Sequence, residues 1–533
     1  MLREAMPGPP GGSSRLGWFG RLEPLGRWGV LLGPLGCIAT NLALRWAGHP
    51  ASAAWAAGVV FLMACWWITE PFPLWVTALL PLPLFPLLGV ASFWPTLLEY
   101  FAPVNFLFLG GMWIAAAMEQ WGLHRRLSLG IVARIGVSPR RIVLGFMLAT
   151  AFASLWISNT AATVMMFPIG MAVLGRFADL SGRHDPEHRR FGRALMLGIA
   201  YAASMGGIGS KIGTGTNLVF VREAHRTLGL EVSFVTWFKL GLPIVVLVIP
   251  LAWLYLVRVA APVPATVSAA GRDAILSERS KLGPPSRGEI QVAIAFCLAA
   301  FLWVFRKPMD LGVVVLPGWE DLWPFSWQEV LGVPPRTLPE PLAGLLGPTG
   351  SESVVALLVA GALFLVPAQV RPWQSTLSVR RAMNISWGLL VLLGGGFAMA
   401  NGISESGLSS IIAGGLADVR FPSPLVGYVV VCLVTIALSE VASNTATANI
   451  LLPLLAASAP AFGMEPAPLM LAATLAASFG FMLPAGTPPN AVVFSSGYLR
   501  VTEMARSGLV VDLLGGLIIA LLASVLAPWA LGG

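Results

Sequence analysis

Long apolar stretches, cut at intervals by Gly, Pro and arginine-bearing turns, run through most of the chain. A helix needs about 20 such residues to cross ~30 Å of hydrocarbon. Stretches of that kind fall at 28–46, 52–69, 73–91, 106–123, 194–221, 236–257, 289–305, 352–369, 386–402, 467–496 and 508–530. The pattern predicts an all-α polytopic membrane protein with about 11 transmembrane helices. Two further apolar regions, 142–176 and 425–461, read differently. Each is two arms of roughly 15 residues, too short to span alone. The arms meet at Ser158-Asn159-Thr160 and at Ser443-Asn444-Thr445. Re-entrant helical hairpins are predicted there, because irregular backbone at membrane depth is tolerated only against protein or a wet cavity.

The two polar triplets are copies of one motif. They lie 285 residues apart, as do Ser154 and Ser439, Pro168 and Pro453, Gly110-Gly111 and Gly395-Gly396, and Gly122-Leu123 and Gly407-Leu408. Downstream, Gly213-Thr214-Gly215-Thr216-Asn217 resembles Gly486-Thr487-Pro488-Pro489-Asn490 at an offset of 273. The first half therefore carries 12 extra residues, expected within the polar segment 175–193. Self-similarity at this scale is an internal repeat.

Charge placement orients the halves. With the N-terminus inside, 24 of the 33 Lys and Arg residues fall on inside segments and 8 outside, with Lys211 at membrane depth. That is the positive-inside bias. The first hairpin is then entered from the inside and the second from the outside, which makes the halves inverted-topology repeats, as in many secondary transporters. The expected organisation is a cytoplasmic tail at 1–27, a first repeat at 28–257, a cytoplasmic linker at 258–288 and a second repeat at 289–533. Residues 307–351 form a long outside loop.

Composition agrees. The chain is 56% hydrophobic and 11% charged, whereas a soluble domain carries about 25% charge. The net charge of +8 reflects the loop arginines, so nucleic acid is not an expected partner and membrane lipid is. Cys37, Cys65, Cys297 and Cys432 stand alone, giving neither zinc spacing nor a disulfide framework. High Ala, Gly, Pro, Trp and Arg use with little Lys suggests a bacterial source, hence an inner-membrane location.

The two motifs suit ion and anion binding. Ser, Thr and Asn side chains and broken-helix carbonyls supply the neutral oxygens that a hard cation takes. Helix N-termini at the same breaks offer N–H groups to an anion. One polar triplet alone reads equally well as interhelical hydrogen bonding. Two in register, each followed by a GTxxN element, favour a transport site. An intramembrane enzyme would need a nucleophile–base pair or metal ligands, and no HExxH, GxSxG or paired-aspartate pattern is present. A channel would show a continuous polar stripe or charged ring.

Several long motifs resemble one family. Trp66-Trp67-Ile68-Thr69-Glu70-Pro71-Phe72-Pro73 with Val76-Thr77-Ala78, both triplets, and Phe481-Met482-Leu483-Pro484-Ala485-Gly486-Thr487-Pro488-Pro489-Asn490-Ala491 are similar to the divalent anion/sodium symporter family. The match runs from about Trp66 to Ala520, without the linker and the outside loop. The resemblance implies a homodimeric elevator-type transporter with scaffold and transport domains. Its substrate would be a small dianion, in the dicarboxylate branch a C4 acid such as succinate, fumarate or malate, carried with sodium ions. It further implies a first sodium site at Ser154, Ser158, Asn159 and Gly213, and a second at Ser439, Ala442, Asn444 and Gly486. Asn159, Thr160, Thr214, Asn444, Thr445, Thr487 and Pro488 would face the substrate.

Lys211, two residues before Gly213, departs from that pattern. It is either a lysine snorkelling to the interface or a tethered cation that replaces one sodium. The second reading makes the protein a sodium-independent dicarboxylate exchanger; citrate and sulfate are further alternatives as substrates. Glu440, just before the second triplet, is expected to be a hydrogen-bonded structural carboxylate rather than a proton-coupling one.

Overall fold

Of the 533 residues, the computed structural model describes 24–136, 138–181, 185–263, 277–310, 315–322, 351–416 and 418–531. Most of the expected tail, the middle of the linker and most of the outside loop lie outside the described residues. Helices dominate. Among the described residues, seven are long and apolar enough to cross a membrane: Ala51–Thr69, Phe93–Trp121, Asn159–Ala178, Phe234–Ala260, Arg287–Val304, Trp387–Glu405 and Val501–Leu531. Leu74–Leu87, Glu352–Leu365, Pro424–Ser439 and Pro466–Ala476 are apolar but shorter. Two small antiparallel pairs, Met309–Asp310 with Val315–Leu316 and Pro367–Gln369 with Gln374–Ser375, were not expected.

The sequence repeat recurs in the helix boundaries. Helices start at Leu123 and Leu408, at Pro139 and Pro424, and at Asn159 and Asn444, each pair 285 apart. They start again at Gly215 and Pro488, 273 apart. Gly122 and Gly407, at φ 74° and 77°, end one helix in the left-handed region and let the next begin at once. The short helices Leu123–Ile135 and Leu408–Gly415 that follow are separate elements invisible in the apolar pattern.

The first hairpin differs from expectation. Its arms are Pro139–Ser154, 16 residues, and Asn159–Ser181, 23 residues, so the second arm passes the expected end at 176 and has the length and composition of a spanning helix. A charge such as Arg176 marks where apolar surface stops, not where helical hydrogen bonding stops. In the second half the two arms are Pro424–Ser439, 16 residues, and Asn444–Ser458, 15 residues. The extra residues of the first half are thus added helical turns, here and at the start of Pro186–Gly207, which has 22 residues against 11 in Pro466–Ala476.

Those last two helices run through the centre. Pro466–Ala476 is buried from Pro468 onward and Pro186–Gly207 from Ala194 onward. A helix that is apolar on all sides belongs in the interior. Each leads into a GTxxN loop. Gly241 of Phe234–Tyr255 lies against the Ile208 carbonyl, and Gly508 of Val501–Leu531 lies against Phe481, 273 residues after Ile208. A Cβ on Gly508 would stand 2.6 Å from the Met482 nitrogen, so only glycine permits the approach. The halves interlock: Gly215–Leu228 packs on Asn444–Ser458, and Pro488–Phe494 packs on Asn159–Ser181.

Candidate functional site

The break between the arms of the first hairpin and the first GTxxN loop meet at Ser154. The Ser154 hydroxyl lies 2.8 Å from Asn159 Oδ1 and 2.6 Å from the Ala203 carbonyl oxygen. Gly213 stacks on the same spot: a Cβ there would be 2.9 Å from the Ser154 carbonyl oxygen. Asn159 Oδ1 in turn closes on Gly207, where no side chain fits. The loop is fixed by Asn217, whose amide donates to the carbonyls of Gly207 at 3.0 Å and Ser210 at 2.7 Å.

The second half builds the same constellation. The Ser439 hydroxyl lies 2.9 Å from Asn444 Oδ1 and 2.6 Å from the Ala477 carbonyl oxygen. The Asn490 amide donates to the carbonyls of Gly480 and Leu483, both at 2.9 Å. These partners are those of Asn217 shifted by 273 residues. Gly486 lies beside the Glu440 carbonyl and carboxylate, and Ala442 is buried in the turn above.

Both constellations are neutral-oxygen clusters. A serine hydroxyl has one proton, yet each Ser Oγ has an amide oxygen and a carbonyl oxygen within hydrogen-bonding reach. Three oxygens converge with one proton among them. That donor set fits a hard monovalent cation, which takes several neutral oxygens at short range. Ser154, Asn159 and Gly213 are brought together; Ser439 and Asn444 are too, with Gly486 set against the adjoining Glu440. Ser158 is placed differently: its exposed hydroxyl accepts from the Ala161 N–H at 3.2 Å as a helix cap.

The expected substrate residues cluster at helix starts. Asn159 and Thr160 open Asn159–Ser181, Asn444 and Thr445 open Asn444–Ser458, and Thr214 and Thr487 are the N-caps of the helices after each loop. Thr487 caps Asn490 N at 3.3 Å, whereas Thr214 makes no side-chain cap. The halves touch where Gly215 meets Thr445, a Cβ on Gly215 falling 2.7 Å from the threonine Oγ1. Pro488 is exposed. A cavity of about 490 Å³ runs along the arm just past Thr160, lined by Ala161, Val164, Met165 and Pro168 and, opposite them, by His124, Arg125 and Arg381. Burial holds the His124 imidazole below its ordinary range, against the opposing pull of the Met118 carbonyl, and Glu119 and Glu278 line the same cavity beside the two arginines.

Three features escaped sequence reasoning. Glu352 holds Lys211, whose ammonium donates to Glu352 Oε2 at 2.5 Å and to the Val232 carbonyl at 2.6 Å. Lys211 is 7% exposed, so it does not snorkel. Asp512, buried on the last helix, accepts from Phe481 N at 3.3 Å. A lone acid in an apolar helix was the available signal. Asn217 and Asn490 stood in the motif, but their clamp role did not. Glu440 is hydrogen-bonded: its carboxylate accepts from Met482 N at 2.7 Å and Leu483 N at 3.0 Å. In the Trp66–Pro73 motif, Trp66 Nε1 donates to the Gly29 carbonyl and Trp67 Nε1 to that of Leu74, and Trp67 belongs to the same buried cluster as Ala446, next to Thr445.

Residues 44–531 match the family described as the sodium:sulfate symporter transmembrane region. The chain is 36% identical over 507 residues to the sodium-dependent dicarboxylate transporter SdcS of Staphylococcus saprophyticus, covering 95% of this chain and 92% of that one. It is 34% identical to SdcS of Staphylococcus aureus over the same shares. Among solved structures, the Alcanivorax borkumensis YdaH transporter aligns over 80% of this chain and 85% of its own, at 17% identity and a TM-score of 0.48, too distant to inform the site. With nearly the whole chain matched, the protein belongs to the sodium:sulfate symporter family, the divalent anion/sodium symporters whose motifs it carries.

Proposed function

We propose that this chain is a sodium-coupled symporter of C4-dicarboxylates such as succinate, fumarate and malate. The observation that carries the reading is the twinned neutral-oxygen cluster, Ser154 and Asn159 beside Gly213 and Ser439 and Asn444 with Gly486 on the adjoining Glu440. The names of the SdcS relatives point the same way. Each cluster binds a sodium ion. The two cations and the N–H groups at the starts of Asn159–Ser181, Gly215–Leu228 and Asn444–Ser458 receive the carboxylates, with Thr160, Thr214, Thr445, Thr487 and Pro488 shaping the pocket. No arginine belongs to either motif, so the anion is held by weak, divided contacts and can leave.

In this reading the halves are inverted repeats in a bacterial inner membrane, with about 11 spans, two re-entrant hairpins and an inside N-terminus. The chain works as a homodimer whose transport domain moves as an elevator past a scaffold. The rival reading, in which Lys211 substitutes for a sodium in an exchanger, is weaker. Its ammonium is matched by the Glu352 carboxylate, so it brings no net charge to the first cluster.

Uptake of radiolabelled succinate into proteoliposomes tests this. The expected result is uptake driven by an inward sodium gradient, absent when potassium replaces sodium and independent of internal substrate. Uptake that ignores sodium but requires internal dicarboxylate would establish exchange instead. Competition by unlabelled citrate and sulfate ranks the alternative substrates.

A further inference from the structure

The two GTxxN loops share their geometry but not their supports. In the second loop, Glu440 of the same half grips Met482 N and Leu483 N, and Pro484, Pro488 and Pro489 stiffen the path. At the matching positions the first half has Leu155 for Glu440, and Lys211, Gly215 and Thr216 for the three prolines. A loop with no proline and two more glycine-type freedoms should lose its shape more easily. Yet it holds Gly213 against Ser154 as the second loop holds Gly486 against Glu440.

The added support is Lys211. Its ammonium reaches Glu352 Oε2 at 2.5 Å and the Val232 carbonyl at 2.6 Å. Glu352 is 2% exposed. Its other carboxylate oxygen accepts from Phe234 N at 3.1 Å and lies 3.5 Å from Arg306 Nε, and its backbone carbonyl accepts from Trp303 Nε1 at 3.1 Å. The anchor belongs to the other half of the chain, 141 residues away. Such a pair does little for net stability, because desolvation offsets its attraction. What it fixes is position, since a buried ammonium has few places to go.

We propose that Glu352 is a positioning residue for the first sodium site, acting through Lys211: the ion pair holds the Ser210–Gly213 backbone where Gly213 meets Ser154 and Asn159, and so ties ion binding in the first half to helix Ser351–Leu365 of the second. The proposal rests on the coupling-ion reading above. It predicts that the two sodium sites fail differently. Loosening this pair weakens the first and leaves the second, held by Glu440, intact.

The test uses purified full-length protein. Thermal unfolding midpoints are titrated with sodium chloride against choline chloride, and sodium dependence of succinate uptake is measured in proteoliposomes. The variants are Glu352→Gln, Lys211→Met and the double Lys211→Met/Glu352→Leu. The double variant buries no charge from this pair, and Arg306, which also faces Glu352, keeps Glu320 as a partner, so it folds even where a single variant leaves an uncompensated ion. Each variant should need about fivefold more sodium for half-maximal stabilisation and uptake. The double should be no worse than the singles, and the KM for succinate at saturating sodium should stay within about twofold of wild type. A double variant with the wild-type sodium titration, whatever its stability, overturns the proposal and leaves the pair a packing feature. A wild type that shows neither sodium-dependent stabilisation nor sodium-dependent uptake overturns the coupling-ion reading itself, and this inference with it.

Discussion

At the scale of single residues, the paired asparagines are the most informative feature. Asn217 and Asn490 are fully buried, and each uses both amide hydrogens on two loop carbonyls. Replacing Asn490 with Ala leaves two buried carbonyls unpaired, at a cost of about 2–4 kcal/mol. A fall of several degrees in the unfolding midpoint and loss of uptake are expected. An unchanged midpoint would show that the clamp is not needed. Glu440→Gln is subtler. The amide presents NH₂ to one of the two N–H groups that the carboxylate now accepts. The second sodium site should weaken severalfold with the fold retained, read out by the same sodium titration of thermal unfolding. The GTxxN spacing was legible because it repeats. The clamp was not, because its partners lie 10 and 7 residues back along an irregular loop where no periodicity applies. Glu352 was hidden for another reason. It opens an apolar helix, where an acid reads as a cap or interface residue, and its partner is remote in sequence.

Among whole elements, the apolar pattern located most helices and misjudged where some end. It followed the hydrophobic surface, so it closed the first hairpin at 176 although helical hydrogen bonds run on to Ser181. It also passed over Leu123–Ile135 and Leu408–Gly415, which at 13 and 8 residues are too short to register as spans. Close packing of the last helix on the second loop was legible only as an unexplained glycine. Gly508 touches the backbone of Phe481 and Met482, and backbone cannot swing aside as a side chain can. Gly508→Ala should therefore destabilise by about 1–3 kcal/mol or more and impair uptake. Gly130→Ala, with open space around its Cβ position, is the control and should leave both at wild-type values. Equal behaviour of the two variants in thermal unfolding would rule out the close-approach account.

For the molecule as a whole, the ion pairs that join distant elements are unevenly placed. Arg222 on the helix after the first loop pairs with Glu99 at 2.7 Å, Lys307 pairs with Glu231, and Lys211 pairs with Glu352. All three link the segment 211–231 to elements of 93–101 or 306–365, and all but Lys307 line one cavity of about 710 Å³. By contrast, Arg193–Glu503 joins two helices that flank the loops, and Arg126–Glu289 joins two that do not. If the loops and hairpins move as one body past the rest, the pairs at 99, 231 and 352 must separate in every cycle, while those at 193 and 126 need not. Cysteines at Glu99 and Arg222, in a background lacking Cys37, Cys65, Cys297 and Cys432, distinguish the two cases. Bridging them with a short bifunctional thiol reagent should stop succinate transport while leaving sodium-dependent thermal stabilisation in place, because a 99–222 link holds the arrangement in which both clusters and the Lys211–Glu352 pair are formed. A bridge between Arg193→Cys and Glu503→Cys should leave transport largely intact. Transport that continues at the unbridged rate with the 99–222 link fully formed would exclude relative motion at this face.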